Sequence, residues 1–350
     1  MCTEPFFLLV RYWSQELRLH DPSTRLFRIL QDPSEPRAYL TPSDFEPFVY
    51  DVVERHPGLA FLRSSEFRHR YVEAVITRLF YQLNRPYNER LTLREFKKSK
   101  LFDTMLRLDQ DDDINDFNDD FSYEHFYVIY LKFWHLDTDH NFSLSREDLA
   151  NYDGGALSPL IIHRIFSSVV RRPGCPEDRM DFRDFVVFFI AEVNKSSPTA
   201  TEYWFRCLDL DGDGVVSLYE IDAFFQPQRG RLIDRQHCTA DDAPRVSDVM
   251  CQLNDMVKPA IESRFTLRDI KHCRQAALFF DTLFNTHRYL LSEHKDLVAI
   301  QRQRMTPHFN DWDRYAEAEY ASLTSGVQVP QETADTEYDL QELDDMENEV

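Results

Sequence analysis

The chain has 350 residues, a formal net charge of −21, 14% aromatic side chains and only 8 glycines, so it is long enough for more than one domain and too aromatic to be disordered. The negative balance argues against nucleic acid, whose binding rests on Lys and Arg neutralising phosphates, and favours a metal cation or a basic protein surface. Neither GxGxxG nor GxxxxGK[ST] occurs, which removes the common glycine-rich phosphate loops.

At the start of the chain, the apolar run Phe6–Val10 follows Glu4. It is too short for a secretory h-region and lacks a basic n-region. No stretch approaches the ~20 apolar residues that span a bilayer. The expectation is a soluble intracellular protein, cytoplasmic, with nuclear or cytoskeletal association left open.

A short pattern then recurs along the chain: an apolar residue, a small polar one, two variable positions, an acid and a second apolar residue. The copies are Leu40-TPSD-Phe45, Leu91-TLRE-Phe96, Leu144-SRED-Leu149, Met180-DFRD-Phe185, Val216-SLYE-Ile221 and Phe265-TLRD-Ile270, and Phe121-SYEH-Phe126 carries His125 in the acid's place. Alone, the pattern is a capping box that marks a helix start. The copies at Leu40, Leu91 and Phe121 are read that way first. Asp109–Glu124 is dense in aspartate. Aligned on Phe121, its ligand positions would be Ile114, Asp116, Asn118 and His125, a poor set for calcium. It is expected to be a solvated acidic loop or an anchor for a basic partner.

Two copies are preceded by more. From Asp209 to Glu220 the chain reads DLDGDGVVSLYE, which meets the EF-hand calcium-loop pattern. Asp209, Asp211 and Asp213 supply carboxylates at loop positions 1, 3 and 5. Gly214 allows the turn at position 6, where φ is positive. Val215 lends its carbonyl, Ser217 can hold a bridging water and cap the exit helix, and Glu220 reaches with both oxygens. Such a set suits a hard cation such as Ca²⁺.

The weaker version is Asp137–Asp148, DTDHNFSLSRED. Asp137, Asp139 and Asn141 take positions 1, 3 and 5, Ser143 offers its carbonyl, and Asp148 closes the loop. Phe142 at position 6 must turn left-handed at a cost of roughly 1–2 kcal/mol. Asp148 is one methylene shorter than Glu. Two Ca²⁺ sites are therefore expected, the second loop strong and the first weaker.

EF-hands pair, and the copies at Met180 and Phe265 supply the partners. Their would-be ligands, Pro173, Cys175 and Glu177, and Lys258, Ala260 and Glu262, cannot hold a cation, so both read as metal-free hands. Short strand bridges are expected at Leu144, Met180, Val216 and Phe265. The polar stretch Gln226–Arg245 reads as an inserted recognition loop. Trp134, Trp204 and Trp312 read as core or interface anchors. Cys207 and Cys273 read as reduced core residues, no CxxC or CxH spacing being present. His20, His56, His125, His163 and His294 show no metal-ligand spacing, and no nucleophile elbow, HExxH or kinase signature appears.

The strings HPGLAFL (His56–Leu62), FSYEHFYVIYLKFWHLDTDH (Phe121–His140), EYWFRCLDLDGDGVVSLYEI (Glu202–Ile221), VKPAIESRFTLRDIKHCRQAALFFDTLFN (Val257–Asn285) and DWDRYAEAEY (Asp311–Tyr320) resemble the B-double-prime regulatory subunits of protein phosphatase 2A, over roughly Leu26 to Leu323. The resemblance implies a non-catalytic subunit that binds the phosphatase scaffold and catalytic subunits and directs choice of phosphoprotein substrate and location. It maps the family's two calcium loops onto Asp137–Asp148 and Asp209–Glu220. Family members also lack glycine at position 6 of the first loop and end it in Asp. Asn141 and Ser145 stand where members tend to carry Asp, which leaves this first loop less negative.

The expected fold is mostly α. It comprises an N-terminal helical region with degenerate EF-like units (1–120), EF-hand pair 1 (121–195), EF-hand pair 2 (196–280), a helical segment (281–325) and a disordered acidic tail (326–350). The alternative functions are a stand-alone EF-hand calcium sensor that clasps target helices, disfavoured by only 7 methionines, and a calcium-activated enzyme with its site in the first 120 residues.

Overall fold

The computed structural model describes residues 10–14, 18–31, 37–62, 64–83, 88–167, 169–172, 174–235, 239–294 and 310–325. The acidic tail and the stretch 295–309 lie outside the described residues. The chain divides into two compact units, one of Met1–Phe126 with Ala321–Val350 and one of Tyr127–Tyr320.

Among the described residues of the first unit, helices α1 (Pro22–Leu30), α2 (Pro42–Arg55), α3 (Ser65–Leu83), α4 (Leu93–Lys98) and α5 (Leu101–Arg107) surround a two-stranded ladder of β1 (Tyr39–Leu40) and β2 (Leu91–Thr92). Leu40 faces Leu91 across it, both buried. The copies at Leu40 and Leu91 are therefore more than helix starts. Thr41 and Thr92 do form capping boxes with Asp44 and Glu95, but the apolar residue before each box also pairs its loop to the other. Edge-to-face rings close the packing, Phe27 on Phe96 and Phe45 on Phe80, with centroids 5.7 Å apart in each case. At Phe121 no ladder forms, and Ser122 Oγ caps the amide of His125, as a plain helix start requires.

Asp109–Glu124 departs from a solvated loop. Ile114, Phe117 and Asp120 are buried. The buried Arg78 guanidinium reaches in from α3 and donates to the carbonyls of Asn118 and Asp119 and to His125 Nδ1. A cation sunk below the loop holds the backbone inward, so only part of the acidic stretch meets solvent. Burial raises the Asp120 carboxyl to about 7 and lowers His125 to about 3, the latter with help from Arg78.

The second unit continues helix α6 (Tyr123–Leu136) into two further ladders. β3 (Ser143–Leu144) pairs antiparallel with β4 (Met180–Asp181), and β5 (Val215–Ser217) with β6 (Arg264–Thr266). Leu144 faces Met180 and Val216 faces Phe265, the four positions expected from the pattern. Each strand runs straight into an exit helix: α7 (Arg146–Ala150), α9 (Phe182–Val193), α11 (Leu218–Asp234) and α13 (Leu267–His272). Between them lie α8 (Pro159–Ile165), α10 (Pro198–Leu208) and α12 (Val246–Val257), followed by α14 (Ala276–Phe284), α15 (Thr286–His294) and α16 (Asp311–Ser325).

Aromatic side chains fill this core. Phe133 meets Phe182 and Phe185 edge-on, Trp204 packs on Phe284, and Trp312 meets Phe189. Trp204 Nε1 donates to the Ala191 carbonyl at 2.8 Å, which satisfies its one polar atom. Cys207 is fully buried, whereas Cys273 is half-buried at the end of α13.

The stretch Gln226–Arg245 is not a loop throughout. Helix α11 carries on through Pro227 and Gly230 to Asp234. Phe224, Gln228 and Leu232 bury one face at a four-residue spacing. Gln228 compensates its burial by donating to the Asp281 carbonyl and accepting from Thr286 Oγ1.

A buried charge cluster ties the two pairs within this unit. Lys195, just past α9, makes ion pairs with Glu192 and with Asp281 of α14 and lies over the rings of Trp204 and Phe284. Asn285 Nδ2 donates to Glu192 at 2.7 Å. Among the described residues no helix is long and apolar enough to cross a membrane.

Candidate metal centre

Asp209, Asp211 and Asp213 converge, each offering a carboxylate oxygen within 4.8 Å of the others. Backbone geometry brings them together. Asp209 ends α10 as its C-cap. Its carboxylate accepts from Gly212 N at 2.7 Å and Gly214 N at 3.0 Å, so the chain curls around it. Asp211 and Asp213 each accept from the amide two residues on, in successive Asx turns. Gly212 and Gly214 sit at φ 76° and 83°, which only glycine adopts without strain.

Glu220 closes the loop from the first turn of α11. It is 1% exposed. One carboxylate oxygen accepts from Leu210 N at 2.7 Å, and the other accepts from the amide and hydroxyl of Ser217. The carboxylate thus bridges the beginning and end of the loop. The donor set is four carboxylates and the Val215 carbonyl, all hard oxygens, and it fits a calcium ion. When bound, such an ion would draw these oxygens onto one centre. On the partner loop, Arg264 lies 3.9 Å from Asp213 as an exposed pair.

The first loop repeats this backbone with different side chains. Asp137 Oδ1 accepts from Asn141 N and Oδ2 from Phe142 N at 2.7 Å. Its positions 4 and 6 are His140 and Phe142, at φ 53° and 56°, the same left-handed turns that two glycines make in the second loop. The strain is met by packing. His140 stacks on Trp134 with centroids 4.0 Å apart and 9° between planes. Phe142 packs on Phe133 and Trp134. The loop pattern predicts the left-handed turn at position 6 but not the one at His140.

The closing residue differs as its length dictates. Asp148 accepts from the amide and hydroxyl of Ser145, but among the described residues it makes no bond to the amide of Thr138, the counterpart of Leu210. Asn141 Nδ2 donates to Asp139 at 2.6 Å, which occupies one oxygen of that carboxylate. Burial, together with Asp139, raises the Asp137 carboxyl above its usual range. The first loop offers three carboxylates, Asp137, Asp139 and Asp148, one fewer than the second, and among the described residues they do not converge as Asp209, Asp211 and Asp213 do. In the loops paired to these two, Cys175 and Lys258 stand where the acidic loops carry carboxylates.

Among known proteins, residues 21–111 match the family model described as an EF-hand domain, and residues 126–226 match that of an EF-hand domain pair. The chain is 44% identical over 311 residues to the human alpha form of the B'' regulatory subunits of serine/threonine-protein phosphatase 2A, covering 87% of this chain and 26% of that relative. It is 42% identical over 331 residues to the human beta form, covering 93% of this chain and 56% of that relative. An Arabidopsis thaliana protein described as a probable B''epsilon regulatory subunit of the same phosphatase is 41% identical over 318 residues, 90% of this chain and 59% of the relative. The chain thus spans about a quarter to three fifths of the length of these curated relatives. Among solved structures, a chain described as PP2A PR70 holoenzyme, diCa, aligns with a TM-score of 0.71 and 45% identity, covering 77% of this chain and 98% of that one.

Proposed function

Because the chain belongs to the B'' family of protein phosphatase 2A regulatory subunits, we propose that it is a calcium-binding, non-catalytic subunit of that Ser/Thr phosphatase. It joins the scaffold and catalytic subunits and directs the enzyme to its phosphoprotein substrates. The observation that carries this reading is the paired-hand architecture. Two acidic loops, each bridged to a metal-free partner, lie in the chain that aligns with the PP2A PR70 holoenzyme chain.

Two Ca²⁺ ions bind in this reading. One is held by Asp209, Asp211, Asp213, Glu220 and the Val215 carbonyl. The other is held more weakly by Asp137, Asp139, Asn141, Asp148 and the Ser143 carbonyl. The working divisions are the helical region 1–120, EF-hand pairs 121–195 and 196–280, the closing helices to 325 and the tail. Binding pulls Glu220 and Asp148 against their loops and so fixes the exit helices α11 and α7 relative to the helices that enter them. The test is capture of purified scaffold and catalytic subunits on the full chain, with calcium and with chelator. Capture in calcium that weakens in chelator is expected; no association under either condition overturns the reading.

A further inference from the structure

A cavity of about 460 Å³ in the second unit lies against α7, α8, the turn after α7 and the end of α11. Three arginines line it, Arg146, Arg231 and Arg235, with Glu147 the one carboxylate among the lining residues. None of the three makes an ion pair among the described residues, although the chain has 61 acids against 40 Lys and Arg. Their partners are mostly carbonyls. Arg235 Nη2 donates to Gly154 O and Gly155 O, Arg231 Nη1 to Ala156 O, and Arg146 Nη2 to Glu177 O.

The Gly154, Gly155 and Ala156 carbonyls come from one turn after α7. Asp153, Gly154 and Gly155 are all left-handed, with φ of 50°, 64° and 71°. A Cβ on Gly155 would come within 3.1 Å of Arg235 Nη2. The carbonyls orient the guanidinium groups while neutralising none of their charge, and each arginine has five donors of which they take one or two. Arg146 Nε is buried and has no hydrogen-bond partner. Burial and the neighbouring Arg235 hold Arg231 below its ordinary pKa, which is the mark of cations crowded without a counter-charge.

We propose that this cavity is a binding site for a phosphate monoester, held by the guanidinium groups of Arg146, Arg231 and Arg235. Guanidinium forks match phosphate oxygens in pairs, and a phosphate dianion offsets the charge of three of them better than the single Glu147 carboxylate does. Leu157, Pro159 and Ile162 form an apolar wall beside the cations, suited to the carbon body that carries the ester. The ester can come from a phosphorylated side chain of a protein or from free phosphate. Its use as a grip on a phosphorylated client rests on the regulatory-subunit reading; the site itself does not.

The test uses the purified full chain alone, so that its outcome is independent of capture of the phosphatase subunits. Binding is measured for inorganic phosphate, for a phosphoserine peptide pool and for the same pool without phosphate, at matched ionic strength. The phosphorylated pool is expected to bind at least ~10-fold more tightly than its counterpart, and Arg231→Gln/Arg235→Gln to abolish that preference. Arg235→Lys keeps the charge but not the fork and should recover only part of it. Glu147→Gln should tighten binding. Arg235 is exposed, so Arg235→Gln alone serves as a variant that keeps the fold, checked by circular dichroism. Arginine-dependent binding of inorganic phosphate without the pool supports the site with free phosphate as its source. No binding of either probe, or binding indifferent to the arginines, overturns the proposal.

Discussion

Glu220→Gln separates what the closing carboxylate does for the loop from what it does for the cation. Both oxygens of Glu220 accept, one from Leu210 N and the other from the Ser217 amide and hydroxyl. Glutamine keeps one acceptor and sets an NH₂ donor against the other N–H, at a cost of about 1–3 kcal/mol in this buried position. With metal, removing one member of a desolvated charge set costs about 3–5 kcal/mol. The affinity change is the difference, about 2 kcal/mol between the midpoints, or roughly thirtyfold weaker binding. Asp148→Asn contrasts with it. Among the described residues the Asp148 carboxylate accepts only from Ser145, and an amide oxygen can replace these bonds, so its loss of affinity should stay within about tenfold. Calorimetric titration of the full chain reads the affinities, and thermal melts in chelator read the metal-free cost. Glu220→Gln should lower the melting temperature in chelator and Asp148→Asn should not. Equal losses of affinity in the two variants would refute the reasoning.

Phe142→Ala should destabilise the chain more than Phe142→Gly, because glycine recovers about 1 kcal/mol at the left-handed turn while both lose the stacking on Phe133 and Trp134; urea midpoints in the reverse order would sink this account of the strain. Lys195→Met leaves Glu192 and Asp281 without their shared cation in a fully buried site and should cost about 3 kcal/mol, whereas a loss below about 1 kcal/mol by urea titration would mean that Arg288, 3.6 Å from Glu192, takes over the charge. In the first unit the pH effects of Asp120 and His125 oppose each other. Asp120, raised to about 7, loses stability as pH rises toward that value, and His125, lowered to about 3, gains stability over much the same window. The contributions of this pair should therefore nearly cancel between about pH 4 and 6.5, and Asp120→Asn should grow more stable with pH relative to the wild type there by on the order of 1 kcal/mol per unit. Denaturation at stepped pH checks this, and a wild type and variant with the same slope would contradict it.

The two acidic loops and their partners were legible because their rules are local. A carboxylate at every second position, a residue able to turn left-handed and an apolar residue at position 8 lie within a dozen residues. The ladder of Leu40 with Leu91 was less visible, since a capping box looks the same whether or not its loop has a partner. Helix α11 was hidden by Pro227 and Gly230, which read as breakers, and by Gln228, a polar residue on the buried face whose partners Asp281 and Thr286 lie far along the chain. The fold of the acidic stretch depended on Arg78, some forty residues earlier. Arg231 and Arg235 lie four residues apart at the end of α11 and so share a helix face, but Arg146 is some eighty-five residues away in the sequence and has no spacing that links it to them. Tertiary packing alone brings Arg146 to the other two.

Each calcium-type loop is strand-paired to a loop without the acids to bind a cation. A pair made of two competent hands can bind its ions in concert and respond steeply. A pair with one competent hand has nothing to cooperate with inside itself, so its occupancy climbs along a simple hyperbola as calcium rises. In the proposed reading, the molecule then grades its response to calcium like a dimmer. Any sharper threshold has to come from one pair speaking to the other, and the Lys195 cluster, which joins Glu192 of α9 to Asp281 of α14, is the buried contact that links them.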